Sequence, residues 1–130
     1  MPIEPGLTNE ITHIVAESDT ATVYGSGLAP VLSTPHLIAL MENAAQTMLM
    51  PYLEPRQSSV GTGIDMHHLA ATPVGMSVRV CAQVTEVALP RVCFRVEAWD
   101  AVEKIGEGEH ERFIIDCERF MARVARKQGV

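Results

Sequence analysis

The chain has few basic residues: ten lysines and arginines stand against sixteen aspartates and glutamates, so its formal net charge is −6. Proteins that bind a nucleic-acid backbone normally carry an excess of cations, because displaced counter-ions supply much of the binding free energy. The composition therefore argues against a nucleic acid or an anionic membrane as the partner. An anionic ligand would have to be met by a local group of cations.

Cysteine is scarce as well. Cys81, Cys93 and Cys117 are odd in number and widely spaced, and no two of them have the spacing of a metal-binding pair. Such cysteines are typical of reduced thiols, so we expect a cytoplasmic protein.

Long apolar runs are missing too. No stretch approaches the eighteen or so apolar residues of a membrane span. The first six residues contain Glu4 and two prolines, where a signal peptide needs a basic start and an apolar core. Apolar residues nevertheless make up 47% of the 130 residues, which is enough for a hydrophobic core. We expect residues 1–130 to form a single domain.

The strongest periodic pattern predicts a helix over residues 34–50. Thr34 suits the N-cap, Pro35 suits the first helical position, and Pro51 marks the end. Apolar side chains cover most of the circumference, so the helix is predicted to be buried on nearly all sides. These apolar residues are Leu37, Ile38, Leu40, Met41, Ala44, Ala45, Met48 and Leu49.

Most of the remaining chain alternates as β-strands do. A single helix that is apolar all round needs a sheet that wraps it, which predicts an α+β hot-dog fold: a curved antiparallel sheet around one long central helix. Such a sheet leaves an edge strand exposed, and pairing with a second copy would cover it. We therefore expect a homodimer, and pairing of two dimers into a tetramer stays open. The predicted strands are 10–17 (continued by 21–24), 60–66, 76–87, 91–100 and 104–115, followed by a short helix after Asp116.

Glu42 interrupts the apolar helix near its middle. It lies too far inside to cap the helix, and a carboxylate buried without a partner is costly. It therefore needs a partner, a bound proton, or a place on one solvent-facing strip of the helix. Because carboxylates in unusual surroundings concentrate at functional sites, a catalytic role stands beside the structural one.

Two adjacent histidines, His67 and His68, follow the alternating run 60–66. Adjacent strand residues point to opposite faces. His68 shares the parity of the apolar Ile64 and Met66, so it is predicted to face the helix. His67 shares the parity of Gly61 and is predicted to face outward. His68 could be a core histidine or a catalytic one, and both interpretations fit its position. Because the rings of His67 and His68 are predicted to face opposite sides, they cannot bind the same metal ion, so no metal site is predicted.

Thr34 lies at the start of the helix, where free backbone N–H groups suit an oxyanion or a phosphate. A purely structural role as N-cap is the alternative. Eight residues separate Thr34 from Glu42, which is about 12 Å along a helix. If both act on one centre, the substrate must bridge them or the site must draw on two subunits.

At these residues the sequence resembles the hot-dog thioesterases of the fluoroacetyl-CoA thioesterase type. That family has a Thr, Glu, His catalytic set at intervals of eight and twenty-six residues, and Thr34, Glu42 and His68 reproduce both intervals. The similarity runs from Thr34 to the C-terminus. The shared segments are Leu40–Glu42, Pro51–Pro55, Gly61-Thr62, His68 with Ala70–Pro73, and His110–Arg112.

The resemblance implies hydrolysis of an acyl-CoA thioester without a metal or redox cofactor, coenzyme A being part of the substrate. It assigns Glu42 as base or nucleophile, Thr34 as the group that holds or polarises the substrate, and His68 as the proton-exchanging residue. It also assigns Gly61 and Arg112 to the substrate-binding site.

The segment before the helix departs from the family pattern. Residues 24–30 contain no phenylalanine, whereas the fluoroacetyl-specific enzyme has an aromatic lid there. We therefore expect a range of short acyl groups to be accepted.

Two other functions share the same pocket: a non-catalytic acyl-CoA-binding module, and a dehydratase or related lyase. A binder has little reason to keep a buried carboxylate, and the Thr–Glu interval favours hydrolysis over the lyase. The candidate cations for coenzyme A are Arg79, Lys104 and Arg112.

Overall fold

Five strands form one antiparallel sheet in the computed structural model, which describes residues 2–129. The strands are β1 (Thr8–Ile14), β2 (Gln57–His68), β3 (Ser77–Ala88), β4 (Arg91–Trp99) and β5 (Lys104–Asp116). Their order across the sheet is β1-β3-β4-β5-β2, so β1 and β2 lie at the two edges. Residues 106–116 of β5 pair with β2 along its length, from Gln57 opposite Asp116 to His68 opposite Gly106.

Three α-helices accompany the sheet: α1 (Ala21–Tyr24), α2 (Thr34–Leu49) and α3 (Cys117–Ala125). The central helix α2 contacts β1, β2, β3 and β4. Fully burying one of its large apolar side chains contributes about 1.5–3 kcal/mol. The buried residues of α2 are Leu37, Leu40, Met41, Ala44, Ala45, Met48 and Leu49.

The prediction that α2 is buried on nearly all sides is wrong for the single chain. Pro35, Ala39, Asn43 and Thr47 are exposed at a spacing of four residues, which is one strip of the helix. The sheet of one chain covers the opposite side only. No helix among residues 2–129 is long and apolar enough to cross a membrane.

The expected strand over residues 21–24 is a one-turn helix instead. The N–H of Ala21 donates to the carbonyl of Val31 at 2.9 Å, and Gly25 ends the turn in the left-handed conformation at φ 71°. The segment folds back on itself, and Thr20 pairs with Leu32 in an isolated bridge.

A bulge in β2 changes which residues face the helix. The register of β2 against β5 shifts between Gly61 and Gly63, so the period-two alternation breaks there. Beyond the bulge, Ile64 and Met66 pack against the core as predicted. Before it, Ser59 is buried and Gly61 faces the helix, which corrects the outward orientation expected for Gly61.

Candidate active site

The first turn of α2 is capped by Ser33 and not by Thr34. The Ser33 hydroxyl accepts a hydrogen bond from the backbone N–H of His36 at 3.1 Å, while Thr34 and Pro35 are already inside the helix. The prediction of Thr34 as N-cap is therefore wrong by one residue, because two adjacent hydroxyl residues both suit the position. As a result the Thr34 hydroxyl is free for another partner.

That partner is His68. Thr34 Oγ1 lies 2.8 Å from His68 Nδ1, a hydrogen bond between the start of α2 and the end of β2. His68 Nε2 is buried and has no hydrogen-bond partner within residues 2–129. A buried ring nitrogen without a partner is costly unless a ligand or water pairs with it.

Burial also favours the neutral form of this ring. Desolvation lowers the pKa of His68 below its ordinary value, and the Ala70 backbone offsets only part of the shift. A neutral imidazole can accept a proton at neutral pH.

A cavity of about 410 Å³ lies beside the Thr34–His68 pair. The segment before α2 and the residues after β2 form its walls. The N–H of Leu32 donates to the carbonyl of Thr72 at 2.9 Å, which ties these two walls together. The lining residues are Ala21, Ser26, Val31, Leu32, Ser33, Thr34, His68, Leu69, Ala70 and Ala71.

Glu42 lies two turns further along α2, where it forms an ion pair. Arg112 Nη1 donates to Glu42 Oε2 at 3.4 Å, and the side chain of Glu42 is 43% exposed while that of Arg112 is 7% exposed. Both sequence-based explanations for this carboxylate therefore hold in part: it has a cationic partner, and it borders the exposed strip of the helix.

Arg112 is itself fixed by β2. Its Nε donates to the hydroxyl of Ser59 at 2.9 Å and its Nη2 to the Ser59 carbonyl at 3.0 Å. Burial lowers the pKa of Arg112, and the negative charge of Glu42 opposes the shift. A guanidinium remains charged in a protein, so Glu42 has a permanent and well-positioned counter-ion.

His110 completes this second cluster. Its Nδ1 lies 2.8 Å from the carbonyl of Gly63 and its Nε2 lies 3.2 Å from Arg112 Nη1. Burial lowers the pKa of His110, and the charge of Arg112 acts in the same direction. The partners assign a neutral ring that donates from Nδ1 to the bulge and accepts from Arg112 at Nε2.

Gly61 is required by the close approach of Glu42. A Cβ at position 61 would overlap Glu42 Oε2, and it would lie 3.2 Å from His110 Cε1 and 3.3 Å from Arg112 Nη1. Gly61 is not in the left-handed region, so space and not backbone conformation explains the glycine.

The five residues singled out from the sequence thus fall into two groups. Thr34 and His68 form the N-terminal pair, and Glu42, Gly61 and Arg112 form the mid-helix cluster. Within residues 2–129, no hydrogen bond or ion pair joins Glu42 to Thr34 or His68. The 12 Å separation estimated from the helix rise is consistent with this division.

Two further residues contact Arg112 in the mid-helix cluster: Ser59, which sequence reasoning missed, and His110, to which it gave no role of its own. Ser59 gave no signal, because the alternation assigned its neighbour Val60 to the inner face and only the bulge reverses this. His110 stands two residues from Arg112 on the same strand, and that parity is a signal that could have placed it beside the arginine.

The cations considered for coenzyme A are engaged in contacts with other side chains. Arg79 pairs with Glu10 at 3.4 Å, Lys104 pairs with Glu97 at 2.6 Å, and Arg112 is buried. None of the three is an unpaired cation. In the described part of the chain, the cations without an ion pair lie in α3 and the turn that follows it: Arg119, Arg123, Arg126 and Lys127.

Comparison with known proteins reveals close relatives. A family model for the fluoroacetyl-CoA-specific thioesterase matches residues 15–118. The fluoroacetyl-CoA thioesterase of Streptantibioticus cattleyicolor is 44% identical over 97 residues, which are 75% of this chain and 70% of that protein.

Solved structures agree with the sequence matches. A structure of the fluoroacetyl-CoA thioesterase has a TM-score of 0.93 at 35% identity and covers 99% of this chain and 100% of its own. A hot-dog-like protein from Thermanaerovibrio acidaminovorans has a TM-score of 0.89 at 26% identity, covering 97% and 93%. The predicted hot-dog fold is confirmed.

Proposed function

The chain belongs to the fluoroacetyl-CoA-specific thioesterase family and is a thioester hydrolase, and from this premise we propose that it hydrolyses acyl-CoA thioesters with short acyl groups. The proposed catalytic residues are Thr34, Glu42 and His68. Gly61 and Arg112 are proposed to shape the substrate-binding site around Glu42.

The observation that carries the proposal is the Thr34–His68 hydrogen bond beside a cavity, with His68 Nε2 buried and unpartnered. A thioester carbonyl that bound in this cavity would find a hydroxyl and an imidazole at the N-terminus of a helix. The positive end of the helix dipole favours the negative charge that develops on the carbonyl oxygen. Among Thr34, Pro35 and His36, only Thr34 has an uncommitted backbone N–H within residues 2–129, because proline has none and His36 donates to Ser33.

The reaction balances with water as the only co-reactant. A new C–O bond forms to the acyl carbon, either from water activated by Glu42 or from the Glu42 carboxylate itself followed by water. The C–S bond breaks, and the proton that the attacking water loses passes to the departing thiolate. His68, neutral at the start, is suited to accept that proton and to deliver it. The products are the carboxylic acid and coenzyme A. Since side chains and water suffice, no metal or redox cofactor takes part in this mechanism.

We further propose that the complete site forms between two chains of a homodimer. Glu42 and the N-terminal pair are too far apart along α2 to act together on a small acyl group within one chain. Glu42 borders the exposed strip of α2, and β2, which carries Gly61 and His68, is an edge strand of the sheet. A second copy that covered this edge would bring its own Glu42 to the N-terminal pair.

The cavity lining supports the acceptance of more than one acyl group. No phenylalanine, tyrosine or tryptophan lines the cavity, and the Tyr24 hydroxyl is instead bonded to His36 Nδ1 at 2.7 Å. Small side chains such as Ala21, Ser26 and Ala70 form much of the wall. This opening contains no aromatic lid, so several short acyl groups are expected to be turned over.

The test is a hydrolysis panel of acyl-CoA esters of increasing chain length, with the released thiol trapped by a chromogenic reagent. We expect turnover of several short esters, and loss of it in Glu42→Gln, with Glu109→Gln as the matched control for an exposed glutamate. Turnover of fluoroacetyl-CoA alone would contradict the breadth of substrates. Full activity in Glu42→Gln would contradict the catalytic assignment.

A further inference from the structure

A third polar cluster joins β1, the turn before α1 and the first turn of α2. Asp19 lies between two histidines: His13 Nε2 is 2.7 Å from Asp19 Oδ2, and His36 Nε2 is 3.2 Å from Asp19 Oδ1. We propose that His13, Asp19 and His36 form a binding site for a divalent transition-metal ion of the Zn²⁺ class.

The geometry is close to that of a three-ligand site. One nitrogen from each ring and one carboxylate oxygen all lie within 4.8 Å of one another. An ion with ligand bonds of about 2.0–2.2 Å would fit among them after small side-chain movements, with its fourth position left for water. Two imidazoles and one carboxylate are a donor set that suits Zn²⁺ and Fe²⁺ better than the oxygen-seeking Mg²⁺ or Ca²⁺.

The surrounding contacts orient the ligands. The Tyr24 hydroxyl lies 2.7 Å from His36 Nδ1, which leaves Nε2 as the nitrogen that faces the cluster. The backbone N–H of Ala16 donates to Asp19 Oδ2 at 2.8 Å and fixes the carboxylate. Ligand histidines are commonly held in this way by a hydrogen bond at the other ring nitrogen.

Charge and access also fit a cation. The side chain of Asp19 is 7% exposed, whereas those of His13 and His36 are 32% and 19% exposed, so an ion can reach the cluster from solvent. Asp19 would supply a negative charge to the ion, and the two rings would supply neutral nitrogen donors.

This site departs from the expectation of a metal-free chain. Residues 13, 19 and 36 do not have the spacing of a known ligand motif, and they meet only because the segment between β1 and α2 folds back. The site contains none of the residues proposed for hydrolysis. Its existence therefore does not depend on the proposed function.

The test uses the full chain without an affinity tag, freed of metal by a chelator and then titrated with Co²⁺ and with Zn²⁺. We expect one ion per chain, d–d absorption bands of nitrogen- and oxygen-bound Co²⁺, and Zn²⁺ that displaces it. Zn²⁺ should also raise the melting temperature by mass action.

Variants locate the ion. His13→Gln and His36→Gln should abolish saturable binding, Tyr24→Phe should weaken it about 10–100-fold, and His67→Gln, which alters an exposed histidine, should bind as the parent does. Absence of Co²⁺ bands in the unaltered protein would overturn the proposal. Binding that survives both ligand substitutions, or is lost in His67→Gln, would also overturn it.

Discussion

The two ends of the proposed site differ in how well their polar atoms are satisfied. At the start of α2, Thr34 bonds only to His68, and His68 Nε2 has no partner in the described structure. Two turns later, Arg112 donates to Ser59, Glu42 and His110, and His110 also bonds to Gly63. The first region is left open to a ligand, whereas the second is a closed network.

This difference separates catalytic effects from effects on stability. Removing His68 should cost little folding free energy, because its one side-chain partner, Thr34, is exposed and can hydrogen-bond to water instead. Removing Arg112 or His110, the buried members of the network, leaves their partners without hydrogen bonds. Substitutions at the N-terminal pair should therefore change activity alone, and those in the mid-helix cluster should change activity and stability together.

The largest effect is expected at His68. His68→Asn should lower kcat by about 10²–10⁴-fold, the range for a lost general acid or base, with little change in melting temperature. His67→Asn is the matched control, since the neighbouring ring faces outward and is exposed. A melting temperature that falls sharply in His68→Asn while kcat holds would show that the residue is structural.

The dependence of kcat/KM on pH tests the same role of His68. A base acts only when unprotonated, so activity is lost as pH falls through its pKa. Because burial lowers the pKa of His68 below the ordinary value of 6.5, the acidic limb of kcat/KM should lie below pH 6.5 and be absent from the residual rate of His68→Asn. An acidic limb above pH 6.5 that persists in the variant would contradict this.

Gly61→Ala should come next. The new methyl group overlaps Glu42 Oε2, and displacing a reacting group by about 1 Å can cost about 10²-fold in rate. The control is Gly63→Ala, since a Cβ there meets nothing within 4 Å and the backbone is not left-handed. Equal rates for the two variants, measured under saturating acyl-CoA, would contradict the proposed role of Gly61 in shaping the site.

Arg112→Gln should reduce the free energy of unfolding by about 1–3 kcal/mol, because Ser59 and His110 lose buried hydrogen bonds. Arg112→Lys should recover the charge but not the two-point contact with Ser59, so it should recover only part of the stability. Urea denaturation measures both. An unchanged midpoint in Arg112→Gln would mean that the network is not closed as described.

The smallest effect is expected at the helix cap. Ser33→Ala removes the acceptor for the His36 N–H and should cost about 1 kcal/mol of stability, with kcat near that of the parent. Thr34→Ser keeps a hydroxyl and should leave stability unchanged. If Thr34→Ala cost more stability than Ser33→Ala, the assignment of the cap would be reversed.

The sequence predicted the parts of this molecule that depend on regular periodicity. The α2 helix, the four strands that follow it and the inward orientation of His68 follow from apolar spacing. The bulge between Gly61 and Gly63 could not be predicted, because one extra residue in a strand leaves no mark in the composition.

Long-range contacts were equally hidden. Glu42 and Arg112 are 70 residues apart in sequence, and only the packing of α2 against the sheet explains why they meet. The choice between Ser33 and Thr34 as cap is a matter of one residue, which local preference cannot decide. The bulge and the helix cap are also the details that bring Gly61 to Glu42 and the Thr34 hydroxyl to His68.

The most direct test asks whether one site uses residues of two chains. Glu42→Gln and His68→Asn subunits, carrying different tags, would be co-expressed and the mixed dimer purified for an acyl-CoA hydrolysis assay. If the N-terminal pair of one chain works with Glu42 of the other, one of the two sites is intact, and about half of the parent rate per dimer is expected. A mixed dimer no more active than the two single variants would contradict a site shared between chains.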